Sequence, residues 1–120
     1  MSESIWQDAE VISTYTRAQA IDDGVLIDVG AWQGGIFKHP VAFTAALFAE
    51  VSRGKGSDVE TLKARIWDVC YMATVPTAHI NGPDSFYPVT VGNRTLRLRA
   101  NCGPGDRAEP VMTIGFPEDF

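Results

Sequence analysis

Two arginines in the last third of the chain have a spacing that suits binding. In Leu96-Arg97-Leu98-Arg99 the charged and apolar residues alternate, so a β-strand would place Arg97 and Arg99 on one face. Guanidinium groups form two-pronged hydrogen bonds with carboxylates and phosphates. The pattern therefore predicts a contact site for an acidic partner or a phosphate group. The alternative is an outer sheet face in water, where both arginines pair with nearby carboxylates.

Three aromatic residues are further candidates for a binding surface. Trp32 lies in a glycine-rich loop, residues 30–35, that lacks the spacing of nucleotide-binding loops. Trp67 and Tyr71 are one helical turn apart beside an apolar face, and they either pack on a neighbouring helix or stay partly exposed. Exposed aromatic residues often anchor protein interfaces. We therefore predict that Trp32, Trp67 and Tyr71 are binding residues, together with the two arginines.

Patterns for catalysis and for metal binding are weak. The thiol and imidazole groups that could bind a metal belong to Cys70, Cys102, His39 and His79. No pair of these residues has the close spacing of a zinc site. We therefore predict neither a metal nor a cofactor. A nucleophilic cysteine needs a neighbouring base, and the sequence places neither histidine beside Cys102. A small enzyme that uses Asp28, Cys102 or His39 is the alternative.

Helical and strand patterns occupy different parts of the chain. The predicted helices span residues 14–22, 40–53 and 57–75, and the predicted strands span residues 25–29, 86–91, 96–102 and 110–116. The order α-β-α-α-β-β-β favours an α+β fold, with three helices on one face of a mostly antiparallel sheet of about four strands. We expect one globular domain over residues 1–120, with a partly ordered N-terminal arm over residues 1–12.

Composition limits the kinds of partner. The 120 residues carry a formal net charge of -5, and 45% of them are hydrophobic. An acidic chain is unsuited to non-specific nucleic-acid binding, which needs a basic surface. No apolar run reaches the length of a membrane span, and neither a signal peptide nor a disulfide framework is evident. We expect a cytoplasmic protein with a protein partner and no membrane attachment.

Several segments together resemble a family of small uncharacterised proteins carried by bacterial phages, plasmids and other mobile elements. The matching segments are residues 11–29, 37–41 with Thr44, 62–68 around Trp67, 102–106 and 109–114. The resemblance implies a genomic setting and carries no catalytic assignment. Small acidic proteins of mobile elements often block host defences, and anti-CRISPR proteins are the best-known class.

The leading hypothesis is therefore a non-catalytic binding protein of a mobile element that acts as an anti-defence inhibitor, with a CRISPR effector complex as one candidate partner. Such a protein occludes a nucleic-acid-binding site or a subunit interface in the cytoplasm of the bacterial host. Besides the small enzyme, a homo-oligomeric structural or assembly protein is an alternative, because the predicted second helix is apolar over most of its circumference. A homodimer would fit this alternative.

Overall fold

The computed structural model describes residues 15–75 and 79–120. Within those ranges the chain forms three α-helices and six β-strands. The helices are α1 (Arg17–Asp22), α2 (Ala45–Val51) and α3 (Val59–Met72), and the strands are β1 (Leu26–Asp28), β2 (Val41–Thr44), β3 (His79–Asn81), β4 (Asp84–Val91), β5 (Arg94–Pro104) and β6 (Pro110–Gly115). The arm predicted for residues 1–12 lies outside the described residues, and the single domain over residues 1–120 stays a prediction.

All six strands form one sheet, in the order β1-β2-β6-β5-β4-β3. The pairing of β2 with β6 is parallel, and every other pairing is antiparallel. The α+β class is therefore confirmed. The predicted sheet of about four strands is corrected to a mixed sheet of six described strands, because β2 and β3 are absent from the predicted order.

Strand β2 replaces the first turn of the predicted second helix. All four of its residues are buried, because it lies between β1 and β6 inside the sheet. A strand covered on both faces is apolar throughout, so it has the same pattern as a buried helix. Thr44 ends the strand and begins α2, because its Oγ1 accepts a hydrogen bond from the amide of Leu47 at 3.3 Å.

Helices α2 and α3 cover one face of the sheet, and their buried residues join those of the strands in one core. Tyr87 links the two layers, because its buried hydroxyl donates to the carbonyl of Val69 on α3 at 2.9 Å. Helix α1 departs from the predicted arrangement of three helices on one face. Arg17 of α1 donates from Nη1 to Oγ1 of Thr113 at 2.7 Å, and Thr113 alternates with the core residues Met112 and Ile114. Its side chain therefore lies on the opposite face.

Helix α3 carries two of the predicted binding residues. Asp58 begins it, because Oδ2 of that residue accepts from the amide of Thr61 at 3.2 Å, one residue after the start of the predicted helix over residues 57–75. The helix then buries Leu62 and Ile66 against the sheet. Among the helices of residues 15–75 and 79–120, none combines the length and hydropathy needed to cross a bilayer.

Candidate functional site

The most distinctive surface feature is a pair of stacked aromatic rings on α3. The centroids of Trp67 and Tyr71 are 4.8 Å apart, and their planes deviate from parallel by 8°. Trp67 is 41% exposed and Tyr71 is 46% exposed. The four-residue spacing brings the side chains together on one helical face, while Ile66 and Cys70 next to them point into the core. We call Trp67 and Tyr71 the aromatic pair.

The loop after β1 supports the aromatic pair from one side. A Cβ atom at Gly34 would lie 2.9 Å from Cδ1 and 3.1 Å from Nε1 of Trp67, so only glycine permits this close approach. Gln33 is buried, and its Oε1 accepts from the amide of Phe37 at 2.6 Å, which fixes the loop. The same loop carries Trp32, which is 37% exposed, in a 3₁₀ turn that contacts α3. Trp32 and the aromatic pair therefore belong to one side of the molecule.

The two predicted arginines lie on the other face of the sheet. Arg97 and Arg99 alternate with the buried residues Leu96 and Leu98 of β5, and the leucines belong to the same core as the buried residues of α3. The prediction that both arginines share one face is confirmed by this alternation. The five predicted residues nevertheless form two separate surfaces, because Trp67 and Tyr71 lie on the helical side of the sheet. One partner of small size would not contact both surfaces together.

Arg99 is engaged within the protein, whereas Arg97 is exposed. Nε and Nη2 of Arg99 donate to Oδ1 and Oδ2 of Asp84 at 2.9 Å and 3.0 Å. Its guanidinium carbon also lies 4.6 Å from the ring centroid of Phe120 and 5.8 Å from that of Phe86. Arg97 has no ion pair within the described ranges. Arg97 is therefore the arginine of the two that could meet a partner.

Residues proposed for chemistry do not converge. Asn101, Thr113, Ala42 and Asp28 are successive register partners across four strands, so they share one face of the sheet. Cys102 follows Asn101 on β5 and therefore lies on the opposite face from Asp28. His39 is exposed, and no hydrogen bond in the described part of the chain joins it to either residue. Burial raises the pKa of the Cys70 thiol to about 12, which disfavours the reactive thiolate. No group of three or more metal-binding side chains occurs among residues that the structure describes.

Comparison with protein families identifies a family for the chain. The sequence profile of DUF6573, a family of unknown function, matches residues 2–120. The chain belongs to this family. No curated protein and no solved structure matches the chain. The expected membership of an uncharacterised family is confirmed, and carriage by phages or plasmids stays a prediction.

In this member of DUF6573, two of the segments that carry the resemblance meet at the start of α1. The amides of Arg17 and Ala18 donate to the two carboxylate oxygens of Asp106 at 2.7 Å and 3.1 Å. A carboxylate suits the start of a helix, where amide groups lack partners inside the helix. Asp106 therefore holds the start of α1 in place, and this contact supports the fold.

Sequence reasoning missed the residues that fix the candidate binding side chains. The sequence marks Gly34 only as a glycine of the loop, and no local pattern marks Asp84 or Phe120. Asp84 precedes the predicted strand, and Phe120 lies at the acidic end of the chain. These partners are 15 and 21 positions from Arg99 in sequence, so only the folded arrangement brings them together.

Proposed function

We propose that this protein is a non-catalytic binding protein and that the aromatic pair anchors a protein partner. The observation that carries the proposal is the stacking of two exposed rings that Gly34 contacts from the loop side. Tryptophan and tyrosine are enriched among the residues that dominate interface energetics. Because the rings are already stacked, their side chains lose little freedom on binding.

The chain's charge supports a partner with a basic surface. The formal net charge is -5, and Glu60 and Asp68 are exposed on the same helix as the aromatic pair. A lysine or arginine of the partner could lie over the face of Trp67, an arrangement that stabilises a complex when water is excluded. Complementary charge would also speed the encounter of the two proteins.

The specific form of the proposal is an anti-defence inhibitor of a phage or mobile element, acting as anti-CRISPR proteins do. Its partner would be a CRISPR effector complex in the cytoplasm of a bacterial host. A surface that binds nucleic acid is rich in lysine and arginine, so an acidic protein with an aromatic anchor suits occlusion of such a surface. Arg97 on the other face of the sheet would then contact a second element of the partner or stay in water.

The test measures whether the purified protein prevents purified CRISPR effector complexes from binding target DNA. The decisive variant is Trp67→Ala with Tyr71→Ala. We expect it to weaken binding to the effector by about 30-fold, which corresponds to the loss of at least about 2 kcal/mol at an interface anchor. Tyr15→Ala is a matched control, because Tyr15 is an exposed tyrosine that precedes α1 and lies outside α3.

The outcomes separate the general proposal from the specific one. Tight binding that survives removal of both rings would show that the aromatic pair is not the anchor. Absence of binding to every effector complex tried would contradict the anti-defence form. Equal weakening by Tyr15→Ala would indicate a general loss of structure, which circular dichroism would detect.

The two alternatives have simpler tests. Full biological activity of Cys102→Ala would exclude a thiol enzyme. The homo-oligomer hypothesis depended on an apolar second helix, and the structure assigns residues 41–44 of that segment to a buried strand. A single species of monomer mass by light scattering at high concentration would contradict this hypothesis.

A further inference from the structure

A basic cleft lies where the turn before α3 meets the hairpin between β4 and β5. It has a volume of about 210 Å³. Its charged lining consists of Arg53, Lys55, Arg65 and Arg94, and Gly92 lies at the hairpin turn. These are four of the ten lysine and arginine residues of a chain whose net charge is negative. The cleft is therefore a positively charged region on a protein whose net charge is negative.

Backbone groups hold the innermost cation in place. Nη1 of Arg65 donates to the carbonyls of Val51 and Arg53 at 3.1 Å and 2.8 Å. Gly56 permits this approach, since a Cβ atom there would lie 2.1 Å from the carbonyl oxygen of Val51 and 2.6 Å from Nη1 of Arg65. A Cβ atom added at Gly92 would lie 3.3 Å from Nη2 of Arg65, so the guanidinium also lies close to the hairpin turn. The two carbonyls fix the guanidinium without neutralising it.

The charges of the cleft are only partly balanced. Glu50 forms ion pairs with Arg94 and, at 3.2 Å, with Arg53. Arg94 first, and then Arg53, holds the pKa of Glu50 below its ordinary value. Lys55 is exposed and has no ion pair within the described ranges. One carboxylate therefore faces four cations, which leaves a net charge of +3 on these five side chains. Like charges that line one cleft repel, and a bound anion would relieve the repulsion.

We propose that this cleft binds a phosphate or diphosphate group. Arginine recognises phosphate oxygens through paired N–H donors, and lysine adds a point charge. The cleft is smaller than the 300–1,000 Å³ common for pockets that enclose a whole ligand. It therefore holds the charged group, while the rest of the ligand stays outside. The group could belong to a small molecule or to a nucleic-acid end, since both present the same oxygens.

This site is independent of the proposed partner surface. Arg65 and Trp67 are two positions apart on α3, which places them about 200° apart around the helix axis. A ligand in the cleft would therefore leave the aromatic pair accessible. The proposal extends the proposed function and does not depend on it.

The test is a titration of the ¹⁵N-labelled protein with sodium pyrophosphate at constant ionic strength, followed by amide chemical shifts. We expect saturable shifts that are largest at residues 54–55 and 92–93. Lys55→Gln should weaken binding about fivefold, the upper range for one exposed ion pair. Lys63→Gln is the matched control, because Lys63 is an exposed lysine on α3 outside the cleft, and it should leave the affinity unchanged. Glu50→Gln should tighten binding, because it removes the competing carboxylate.

The results that would overturn the proposal are equally specific. Shifts that grow without saturation, or that spread evenly over lysines and arginines outside the cleft, would show only diffuse attraction. Equal weakening by Lys55→Gln and Lys63→Gln would have the same meaning. Neither lysine has a described ion pair or side-chain hydrogen bond, so both variants should keep the fold, and circular dichroism checks this.

Separate titrations distinguish the sources of the phosphate. Inorganic phosphate and pyrophosphate represent small molecules, and a single-stranded oligonucleotide with and without a 5′-phosphate represents nucleic acid. Shifts at the cleft with the phosphorylated oligonucleotide alone would assign the site to nucleic-acid ends. Saturation by pyrophosphate without an effect of either oligonucleotide would assign it to a small molecule. Failure of all four probes to saturate the cleft would refute the proposal.

Discussion

Arg99 and Asp84 form a two-pronged ion pair between neighbouring strands, with N–O distances of 2.9 Å and 3.0 Å. Nδ2 of Asn101 donates to the same carboxylate at 2.8 Å, and Asn101 is the register partner of Asp84 at the end of the β4–β5 pairing. The ring centroid of Phe120 lies 4.6 Å from the guanidinium carbon of Arg99. Arg99 thus fastens the end of the chain and the start of β4 to the outer face of the sheet.

The first prediction concerns Asp84→Asn. Hydrogen bonds from Arg99 and Asn101 lower the pKa of Asp84 from its ordinary value of 3.8. A lowered pKa in the folded state means that the charged carboxylate stabilises the fold above the unfolded pKa, and that this contribution is lost as the pH falls through the folded pKa. Urea unfolding should therefore show Asp84→Asn to be less stable than the parent at neutral pH, and the difference should shrink as the pH falls below 3.8.

The control for that experiment is Asp68→Asn. Asp68 is exposed on α3 and has no ion pair in the described part of the chain. Its substitution should leave the dependence of stability on pH almost unchanged. A constant difference between Asp84→Asn and the parent from neutral to acidic pH would contradict the role of the carboxylate charge.

The second prediction compares two neighbouring glycines. Gly34 and Gly35 both have positive φ, +69° and +76°, so alanine at either position should cost about 1 kcal/mol in backbone strain. Only Gly34→Ala would also bring a methyl group against Trp67. The indole must then move, so the stacking with Tyr71 should weaken. Near-UV circular dichroism and tryptophan fluorescence should change in Gly34→Ala and stay close to the parent in Gly35→Ala.

The third prediction concerns the hydrogen bond between the sheet and α3. Tyr87→Phe removes the hydroxyl that donates to the carbonyl of Val69 and keeps the ring. Because the bond is buried, its loss should lower the free energy of unfolding by about 1 kcal/mol. Denaturant unfolding at neutral pH measures the change. A variant as stable as the parent would show that the carbonyl finds an equal partner elsewhere.

The fourth prediction concerns the two thiols. Cys102 is exposed and Cys70 is buried, so one thiol per chain should react rapidly with Ellman's reagent, and the second should react only as the protein opens. Burial raises the pKa of Cys70 from 9.0 to about 12. The unfolded state therefore loses its proton first, and stability should fall with rising pH between those values, by up to about 1.4 kcal/mol per pH unit.

Cys70→Ala separates this effect from other alkaline titrations. The variant should be less stable than the parent at about pH 8, because it leaves a small cavity. Its stability should then decline less steeply towards about pH 10. Parallel declines in the two proteins would show that Cys70 does not control alkaline unfolding. Burial also raises the pKa of Tyr87, so some decline above about pH 10 should remain.

Local patterns were sufficient for the elements that have one buried face. The alternation in residues 96–102 predicts both the strand and the shared face of Arg97 and Arg99, because side chains of a strand alternate by geometry. The four-residue spacing likewise fixed the closeness of Trp67 and Tyr71 on a helix. Strand β2 was not predictable in this way, since a segment buried on both faces has no periodicity.

The sequence by itself determined the α+β class, the amphipathic face of α3 and the adjacency of the aromatic pair. Each of these follows from residues within a few positions of one another. The tertiary structure alone decided that Arg99 pairs with Asp84, that Gly34 supports Trp67 and that four cations of an acidic chain line one cleft. Those relationships depend on strand order and on the contact between loop and helix. Such contacts join distant segments, and no local spacing encodes them.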